Sequence, residues 1–460
     1  MTKNTQHRSH LFCFVLALFI SLSVNSKERL PLPQQGVLGL SPVTTEAGVK
    51  VKIRQVFPGT TASDLKLETD DILLTINGTE VADFSHLLTI LPKITVGAPV
   101  KVAIERKGKQ QVLRGIMHGR PREKSDIAEV VYDTLYWNEQ RIRTVVYTPH
   151  QVLKNKQKAP AIFYLQGYTC DSVEYGRSPK VTMLQMINQF VEAGYLVYRA
   201  EKLGVGESQG TLNCTDVDFT TEVSAFVGAL RELKNHPNVD PEQVYLWGHS
   251  LGVLFAPAMA QQENVAGIIG YGGVVKSWYD YIIDLYGKQS VKYFNTSKSA
   301  ANDNIKTVKP FLQDWLQSDK TWQQILQNKK AIEANLIPIS GQQVFSRHFT
   351  FFRDVNRYNF AKIWQELQVP TLMIHGSLDI QAMDQSWAFD IAEAVNKGGN
   401  NLGKAVVIEG AEHGLMRYGS ISEYRTAQTN NEYNPGLPKD KFEPKIGEAT
   451  LKWMKDIQAK

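Results

Sequence analysis

The stretch Gln243-Val-Tyr-Leu-Trp-Gly-His-Ser-Leu-Gly252 passes from an apolar run directly into a serine flanked by glycines. The apolar run predicts a buried strand, and the residues from Leu251 onward predict a helix. A serine on so sharp a turn needs an uncommon backbone conformation, and its neighbours two positions away come very close. Only the glycines at 248 and 252 leave that space open. We therefore predict that the hydroxyl of Ser250 projects from the end of a strand.

This strand–turn–helix pattern resembles the nucleophile elbow G-x-S-x-G of the α/β-hydrolase family. The resemblance covers residues 126–460 and implies an α/β fold with a mostly parallel sheet flanked by helices. An insertion at about residues 274–362 has a helical pattern, so we expect it to form a cap over Ser250. We expect most of its aromatic side chains to form the cap's own core and a few to face the site. They include Trp278, Tyr279, Tyr281, Tyr286, Trp315, Trp322, Phe349, Phe351 and Phe352.

The α/β-hydrolase family orders its catalytic residues along the chain as serine, acid and histidine. Asp379 follows a late apolar run that ends in His-Gly, and His413 follows the last predicted strand. The resemblance implies that His413 takes the proton from Ser250 and later gives it to the leaving group. It also implies that Asp379 orients the imidazole and stabilises its cation.

We expect the other ionisable residues near these motifs to lie outside the group formed by Ser250, Asp379 and His413. Asp384 is the fallback acid, and Glu412 is expected to be exposed beside the histidine. His249 and His375 are expected to be structural neighbours, because the motif around each one fixes it. The ten histidines of the chain show no spacing typical of metal ligands, so we predict no metal site and no cofactor.

The family chemistry also needs N–H donors for the negative charge that develops on the substrate oxygen. The resemblance implies that these are the backbone N–H groups of Leu251 and Tyr168. Cys170 and Cys214 lie just beyond two neighbouring predicted strands, at one edge of the implied sheet. They are a disulfide candidate, and the alternative is two unrelated buried thiols.

Residues 36–118 have the strand and turn patterns of a separate small domain. The stretches Val56-Phe-Pro-Gly-Thr-Thr-Ala62 and Asp71-Ile-Leu-Leu-Thr-Ile-Asn-Gly78 resemble a bacterial PDZ domain, which implies a small α+β fold. PDZ domains add a peptide as a strand to a sheet edge and bind its terminal carboxylate at a glycine-containing loop. That loop would be Val37-Leu38-Gly39-Leu40, with Leu38 and Leu40 lining the side-chain pocket. The alternative is a domain that only packs against the hydrolase.

The N-terminus has the pattern of a signal peptide over residues 1–26. A polar, basic start is followed by an almost wholly apolar run at 11–22, which is short for a spanning helix of about 20 residues. We therefore expect export to the periplasm or the exterior, with no membrane span after cleavage. An uncleaved anchor is the alternative. Segments 30–33 and 119–125 are predicted to be linkers.

Bulk composition excludes several classes of protein. Hydrophobic residues make up 43% of the chain and charged residues 21%, which is typical of globular domains. The net charge of +5 is spread without a dense basic stripe, so we predict no nucleic-acid binding.

Three functions fit these patterns. The first is an exported serine esterase that cleaves a carboxylic ester or amide of a small-molecule or peptide substrate through an acyl-serine intermediate. Its PDZ domain would recruit a protein C-terminus. The second is a peptidase similar to prolyl oligopeptidase, although Val253 stands where that branch commonly has glycine. The third is a PDZ scaffold with an inactive hydrolase domain, which the presence of Ser250, Asp379 and His413 argues against.

Overall fold

The computed structural model describes residues 31–399, 401–438 and 440–459. The predicted signal peptide, residues 1–26, lies outside the described residues. Within these ranges, no helix combines the length and the apolar character needed to cross a bilayer.

The N-terminal domain is a small α+β fold made of short strands and two helices. Its elements are β1 (Gly36–Val37), β2 (Leu40–Pro42), β3 (Ile53–Val56), α1 (Thr61–Asp64), β4 (Ile72–Ile76), β5 (Thr79–Glu80), α2 (Phe84–Ile90), β6 (Pro99–Arg106), β7 (Lys109–Ile116) and β8 (His118–Gly119). A four-stranded sheet has the order β5-β4-β6-β7, while β1 pairs with β8 and β2 with β3. Val100, Val102 and Ile104 alternate along β6 and pack into the domain core, as expected for a half-buried strand.

The larger domain alternates strands and helices. Its first part contains β9 (Ala128–Trp137), β10 (Gln140–Pro149), α3 (His150–Asn155), β11 (Ala159–Leu165), α4 (Thr182–Glu192), β12 (Leu196–Ala200), α5 (Phe219–Lys234), β13 (Val239–His249), α6 (Gly252–Ala260) and β14 (Gly267–Tyr271). These strands belong to an eight-stranded sheet that is completed near the C-terminus. The predicted strand–turn–helix at residues 243–252 is therefore present as β13 and α6.

A cap follows β14, as the sequence predicts. It contains α7 (Trp278–Asp284), α8 (Ser290–Tyr293), α9 (Lys298–Leu316), α10 (Trp322–Ile325), α11 (Lys329–Glu333), β15 (Ile339–Ser340), β16 (Gln343–Val344), β17 (Arg347–His348) and α12 (Phe349–Arg357). The next helix, α13 (Phe360–Glu366), packs against α6 of the larger domain. The small antiparallel sheet β15-β16-β17 was not predicted, because strands of two residues carry no readable periodicity. Trp315 and Phe351 are fully buried in the cap core.

The chain then returns to complete the large sheet. The remaining elements are β18 (Thr371–Gly376), α14 (Ser386–Lys397), β19 (Gly403–Ile408), α15 (Ile421–Thr429) and α16 (Lys445–Gln458). The strand order is β19-β18-β14-β13-β11-β12-β10-β9, and all neighbours from β12 to β19 are parallel. The carboxyl ends of these six strands therefore lie at one edge, where ligands bind in open α/β sheets.

Helices cover both faces of this sheet, which explains its apolar strands. Along β11, Phe163 and Leu165 belong to a core cluster with α5 and α6, while Ile162 and Tyr164 belong to a cluster with α4 and α16. Successive side chains of a strand point to opposite faces, so a strand covered on both sides is continuously apolar. This arrangement confirms the predicted α/β class.

The two predicted linkers pack against the larger domain, which corrects that expectation. Leu32, in the segment 30–33, is only 5% exposed. Its N–H donates to Thr134 Oγ1 at 3.0 Å, and its carbonyl accepts from Arg143 at 2.9 Å. The sequence pattern was misleading because the partners come from strands about 100 residues further along the chain.

The second segment is held by buried charges. Glu123 is 6% exposed, forms an ion pair with Arg199 at 2.6 Å and accepts the hydroxyl of Tyr147 at 2.6 Å. Arg122 forms an ion pair with the buried Glu207 at 2.6 Å. Charges in a short polar stretch are usually solvated, and Glu123 can be buried because Arg199 of β12 supplies an opposite charge.

Candidate active site

Ser250 has the backbone conformation that its turn requires. Its φ is +56°, in the left-handed region, and its N–H donates to the Tyr271 carbonyl at 2.9 Å. A Cβ at Gly252 would lie 2.1 Å from the carbonyl oxygen of Leu165, and one at Gly248 would lie 2.5 Å from the backbone of Gly252. Both distances are far below van der Waals contact, so the two glycines are needed sterically, as the sequence predicts.

His413 and Asp379 lie together at the same edge of the sheet. The Nδ1 atom of His413 is 2.7 Å from Asp379 Oδ2, and both side chains are buried. The other carboxylate oxygen of Asp379 accepts the N–H groups of Gln381 and Ala382, each at 2.8 Å. The carboxylate is therefore fixed in place, and the bond to Nδ1 leaves Nε2 of His413 as the nitrogen available for proton transfer.

Asp379 and His413 each stabilise the charged form of the other. Burial disfavours the charged forms of both groups, but their mutual attraction and hydrogen bond are stronger. As a result the pKa of Asp379 is lowered and the pKa of His413 is raised. The carboxylate is ionised at neutral pH and stabilises an imidazolium when one forms.

His249 links Ser250 to the histidine loop. Its Nε2 lies 2.9 Å from the carbonyl oxygen of His413, and the two rings are 4.9 Å apart. Burial lowers the pKa of His249 to about 3, so the ring is neutral and its Nε2–H donates a hydrogen bond to that carbonyl. Within the described ranges, Ser250 Oγ makes no hydrogen bond. Hydrogen bonds of this kind often tighten only when substrate is bound.

The remaining acids occupy other positions. The fallback acid Asp384 accepts the N–H of Ser386 at 3.1 Å, and it is Asp379 that contacts the histidine. The prediction that Glu412 is exposed was wrong, because it is completely buried. It accepts the N–H of Met416 at 2.9 Å and the hydroxyl of Tyr433 at 3.0 Å. Burial raises its pKa, and its carboxylate organises the loop that carries His413.

The two predicted N–H donors lie beside the serine. Tyr168, Ser250 and Leu251 line the same cavity, and a Cβ at Gly167 would be 3.1 Å from Ser250 Cβ. In the part of the chain that the structure describes, the N–H groups of Tyr168 and Leu251 have no protein acceptor. They are free to bind an oxygen of a ligand. Just beyond this loop the structure contains the Cys170–Cys214 disulfide, with a Cα–Cα distance of 5.8 Å.

The cavity next to Ser250 is small and apolar. Its volume is about 160 Å³, and its residues come from both the sheet edge and the cap. Trp278 and Phe352 stack at 4.4 Å and form part of its wall. Phe345 also lines it, although the sequence analysis did not single it out. The complete lining is Tyr168, Ser250, Leu251, Leu254, Val274, Trp278, Tyr281, Ile282, Leu285, Phe345, Phe352 and Gln381.

Comparison with models of protein families shows which family this chain belongs to. Residues 138–414 match the family described as X-Pro dipeptidyl-peptidase (S15 family), and this match spans more than half of the chain. The chain belongs to the S15 family. Residues 36–114 match the PDZ domain. This S15-family chain is a serine hydrolase with an N-terminal PDZ domain, as the sequence analysis predicted.

The chain is also similar to solved structures of low sequence identity. Est1E from Butyrivibrio proteoclasticus with bound ferulic acid is 14% identical, with a TM-score of 0.44 over 71% of this chain and 99% of that one. The α/β hydrolase GrgF from Penicillium sp. sh18 is 15% identical, with a TM-score of 0.42 over 72% and 99%. A bromoperoxidase from Bacillus anthracis is 15% identical, with a TM-score of 0.39 over 71% and 100%. A sequence search of curated proteins found no match.

The PDZ domain of this S15-family chain keeps part of the predicted peptide site. Gly39 has φ +79°, and a Cβ there would lie 2.3 Å from the Thr60 side chain. Within the described ranges, the N–H groups of Leu38 and Gly39 have no protein acceptor, and β2 pairs with β3 on one edge only. Leu38 is only 1% exposed and belongs to the domain core, so it does not line an open pocket as predicted. Val37 pairs with His118 in β1, and Leu40 is half-buried.

We expect the activity of this S15-family chain to rise with pH through the pKa of His413. A protonated imidazole cannot accept the serine proton, so activity requires the neutral form. Since Asp379 raises this pKa, the acidic limb should have its midpoint above the ordinary histidine value of 6.5. The pH dependence of kcat/KM measures this midpoint. A limb centred below 6.5 would contradict the raised pKa.

Proposed function

We propose that this protein is an exported hydrolase that cleaves a compact, uncharged ester or amide through an acyl-Ser250 intermediate. In this reaction His413 Nε2 takes the hydroxyl proton of Ser250 as Oγ attacks the carbonyl carbon. The backbone N–H groups of Leu251 and Tyr168 bind the resulting oxyanion. His413 then protonates the leaving group, and a water molecule activated by the same imidazole releases the acid.

The cavity beside Ser250 is the observation that carries the substrate proposal. Its volume of about 160 Å³ is close to that of an engineered protein cavity of about 150 Å³ that accepts benzene. An aromatic ring or a short branched chain therefore fits, and a long fatty acyl chain does not. The wall formed by Trp278, Tyr281 and Phe352 favours a flat or cyclic apolar group.

The family match favours a second candidate, an X-Pro dipeptidyl peptidase. The compact apolar ring of proline would suit the cavity. However, a dipeptide amino terminus is mostly cationic at pH 7, with a pKa of about 7.7–8.0. None of the residues that line the cavity is Asp or Glu, and burying an ammonium group without a counter-charge is costly. We therefore place uncharged acyl groups ahead of dipeptides.

A matched substrate series tests both candidates. We would compare p-nitrophenyl acetate, butyrate, benzoate and dodecanoate with Gly-Pro-p-nitroanilide and its N-acetyl form. The expected result is higher kcat/KM for butyrate and benzoate than for dodecanoate, and higher kcat/KM for the N-acetyl anilide than for the free amine. Preference for the free dipeptide would favour the X-Pro peptidase, and preference for dodecanoate would contradict the size argument.

Export is supported by two independent features. The first 26 residues have the signal-peptide pattern, and the Cys170–Cys214 disulfide is typical of an oxidising compartment. Amino-terminal sequencing of the protein from a periplasmic or extracellular fraction should begin at Lys27. An intact Met1 in a membrane fraction would instead indicate an uncleaved anchor.

The PDZ domain is proposed to bind the C-terminus of a protein. The free N–H groups at Leu38 and Gly39 and the open edge of β2 support this role. A library of peptides with free carboxyl termini should contain ligands whose C-terminally amidated forms do not bind. Equal binding of both forms would exclude carboxylate recognition.

A further inference from the structure

We propose that Lys202 is a positioning residue that aims the backbone N–H of Tyr168 at the reacting carbonyl oxygen. This inference rests on the proposed acyl-Ser250 chemistry, because it assigns a role in that step. Lys202 lies two residues beyond the end of β12, and no role was predicted for it from the sequence.

The contact between Lys202 and the loop controls a single peptide unit. The Lys202 ammonium donates to the carbonyl oxygen of Gly167, and to that of Thr169 at 2.9 Å. The Gly167 carbonyl and the Tyr168 N–H belong to the same planar trans peptide, so they point in opposite directions. Holding the oxygen against Lys202 therefore fixes the direction of the N–H, which has no acceptor in the described part of the chain.

A buried charge cluster holds Lys202 in turn. Glu222 lies 3.1 Å from the Lys202 ammonium and also pairs with Arg347 of β17 in the cap. Arg347 donates to the carbonyl oxygen of Tyr168 at 2.7 Å. Lys202, Glu222 and Arg347 are each at most 2% exposed. Two cations therefore share one carboxylate, and each of them also donates to carbonyl oxygens of the loop.

The protonation state agrees with this role. Burial lowers the pKa of Lys202 to about 8, against the opposing effect of Glu222, so most of the side chain is charged at pH 7. A charged donor binds a carbonyl more strongly than a neutral one, which makes it an effective clamp. The Cys170–Cys214 disulfide anchors the far end of the same loop independently. Removal of Lys202 should therefore free the peptide unit to rotate while the loop stays attached.

The test compares Lys202→Met with a matched control, Arg143→Met. Arg143 is also a buried cation, paired with Glu207 at 2.8 Å, but it does not contact the 166–170 loop. For each variant we would measure kcat, KM, the rate of Ser250 labelling by a fluorophosphonate, and the midpoint of thermal unfolding. Lys202→Met should lower kcat and the labelling rate by about 10²–10³-fold, as loss of an oxyanion donor does, with KM within about threefold. Arg143→Met should keep wild-type kcat even though it is less stable.

The outcomes separate this inference from the proposed function. Wild-type protein that is not labelled at Ser250 would overturn the proposed function and this inference with it. Wild-type labelling together with an undiminished rate in folded Lys202→Met would overturn only the inference. An equal loss of kcat in Arg143→Met would also overturn it, because the effect would then follow stability. If Lys202→Met does not fold, Lys202→Gln should lower kcat and the labelling rate in the same direction, because its uncharged amide is a shorter and weaker donor to the Gly167 carbonyl. An undiminished rate in folded Lys202→Gln would then overturn the inference.

Discussion

Replacing Ser250 by alanine is expected to lower kcat by about 10⁴–10⁶-fold, the scale on which hydrolases lose activity without their nucleophile. The change removes only the hydroxyl oxygen. The backbone at φ +56° is equally accessible to serine and alanine, so the elbow should not change shape. Fluorophosphonate labelling followed by peptide mapping should locate the probe on Ser250 in the wild type and find none in the variant.

A matched control is available in the cap. Ser318 donates its hydroxyl to the Asp314 carbonyl at 2.6 Å and does not line the cavity, so Ser318→Ala should keep wild-type kcat. Ser250→Ala protein that still hydrolyses the preferred ester at more than a hundredth of the wild-type rate would contradict an acyl-serine mechanism.

Asp379→Asn is expected to lower kcat by about 10⁴-fold, which is the effect of the equivalent change in serine proteases. The asparagine is nearly isosteric, but its amide presents either a neutral oxygen or an N–H to His413 Nδ1. It cannot stabilise the imidazolium, and it permits the tautomer with the proton on the wrong nitrogen. Steady-state kinetics on the ester from the substrate series measures the loss.

Asp384→Asn is the control, because it changes the same functional group five positions along the chain. Asp384 accepts the N–H of Ser386, and its replacement should alter kcat by less than about threefold. If Asp384→Asn is the more damaging variant, then the acid in the working enzyme is Asp384. The loop after β18 would have to rearrange on substrate binding.

Local sequence patterns could predict the elbow because its constraints are local. Two glycines, a strand and a helix within ten residues determine that Ser250 occupies a strained turn. The same holds for the central strands, since the continuous apolar runs at β11, β12 and β14 correspond to strands covered on both faces. The resemblance to known families then located Asp379 and His413, which no periodicity would reveal.

Residues whose role depends on distant partners could not be predicted. Glu412 was expected to be exposed beside the histidine, yet it is buried and accepts the hydroxyl of Tyr433, 21 residues away. Glu123 lies in a proline-containing polar stretch, and its burial depends on the opposite charge of Arg199 in β12 and the hydroxyl of Tyr147. In both cases a charge that is typical of solvent becomes structural because the fold brings its partner to it.

The sequence by itself determined the fold class, the strained serine and the presence of two domains. These follow from steric limits and apolar periodicity, which act over a few residues. The tertiary structure decided the size of the cavity, the docking of the predicted linkers and the clamp that Lys202, Glu222 and Arg347 place on the 166–170 loop. These depend on the distances between side chains that are tens to hundreds of residues apart in the chain, and only packing of the sheet, helices and cap sets those distances.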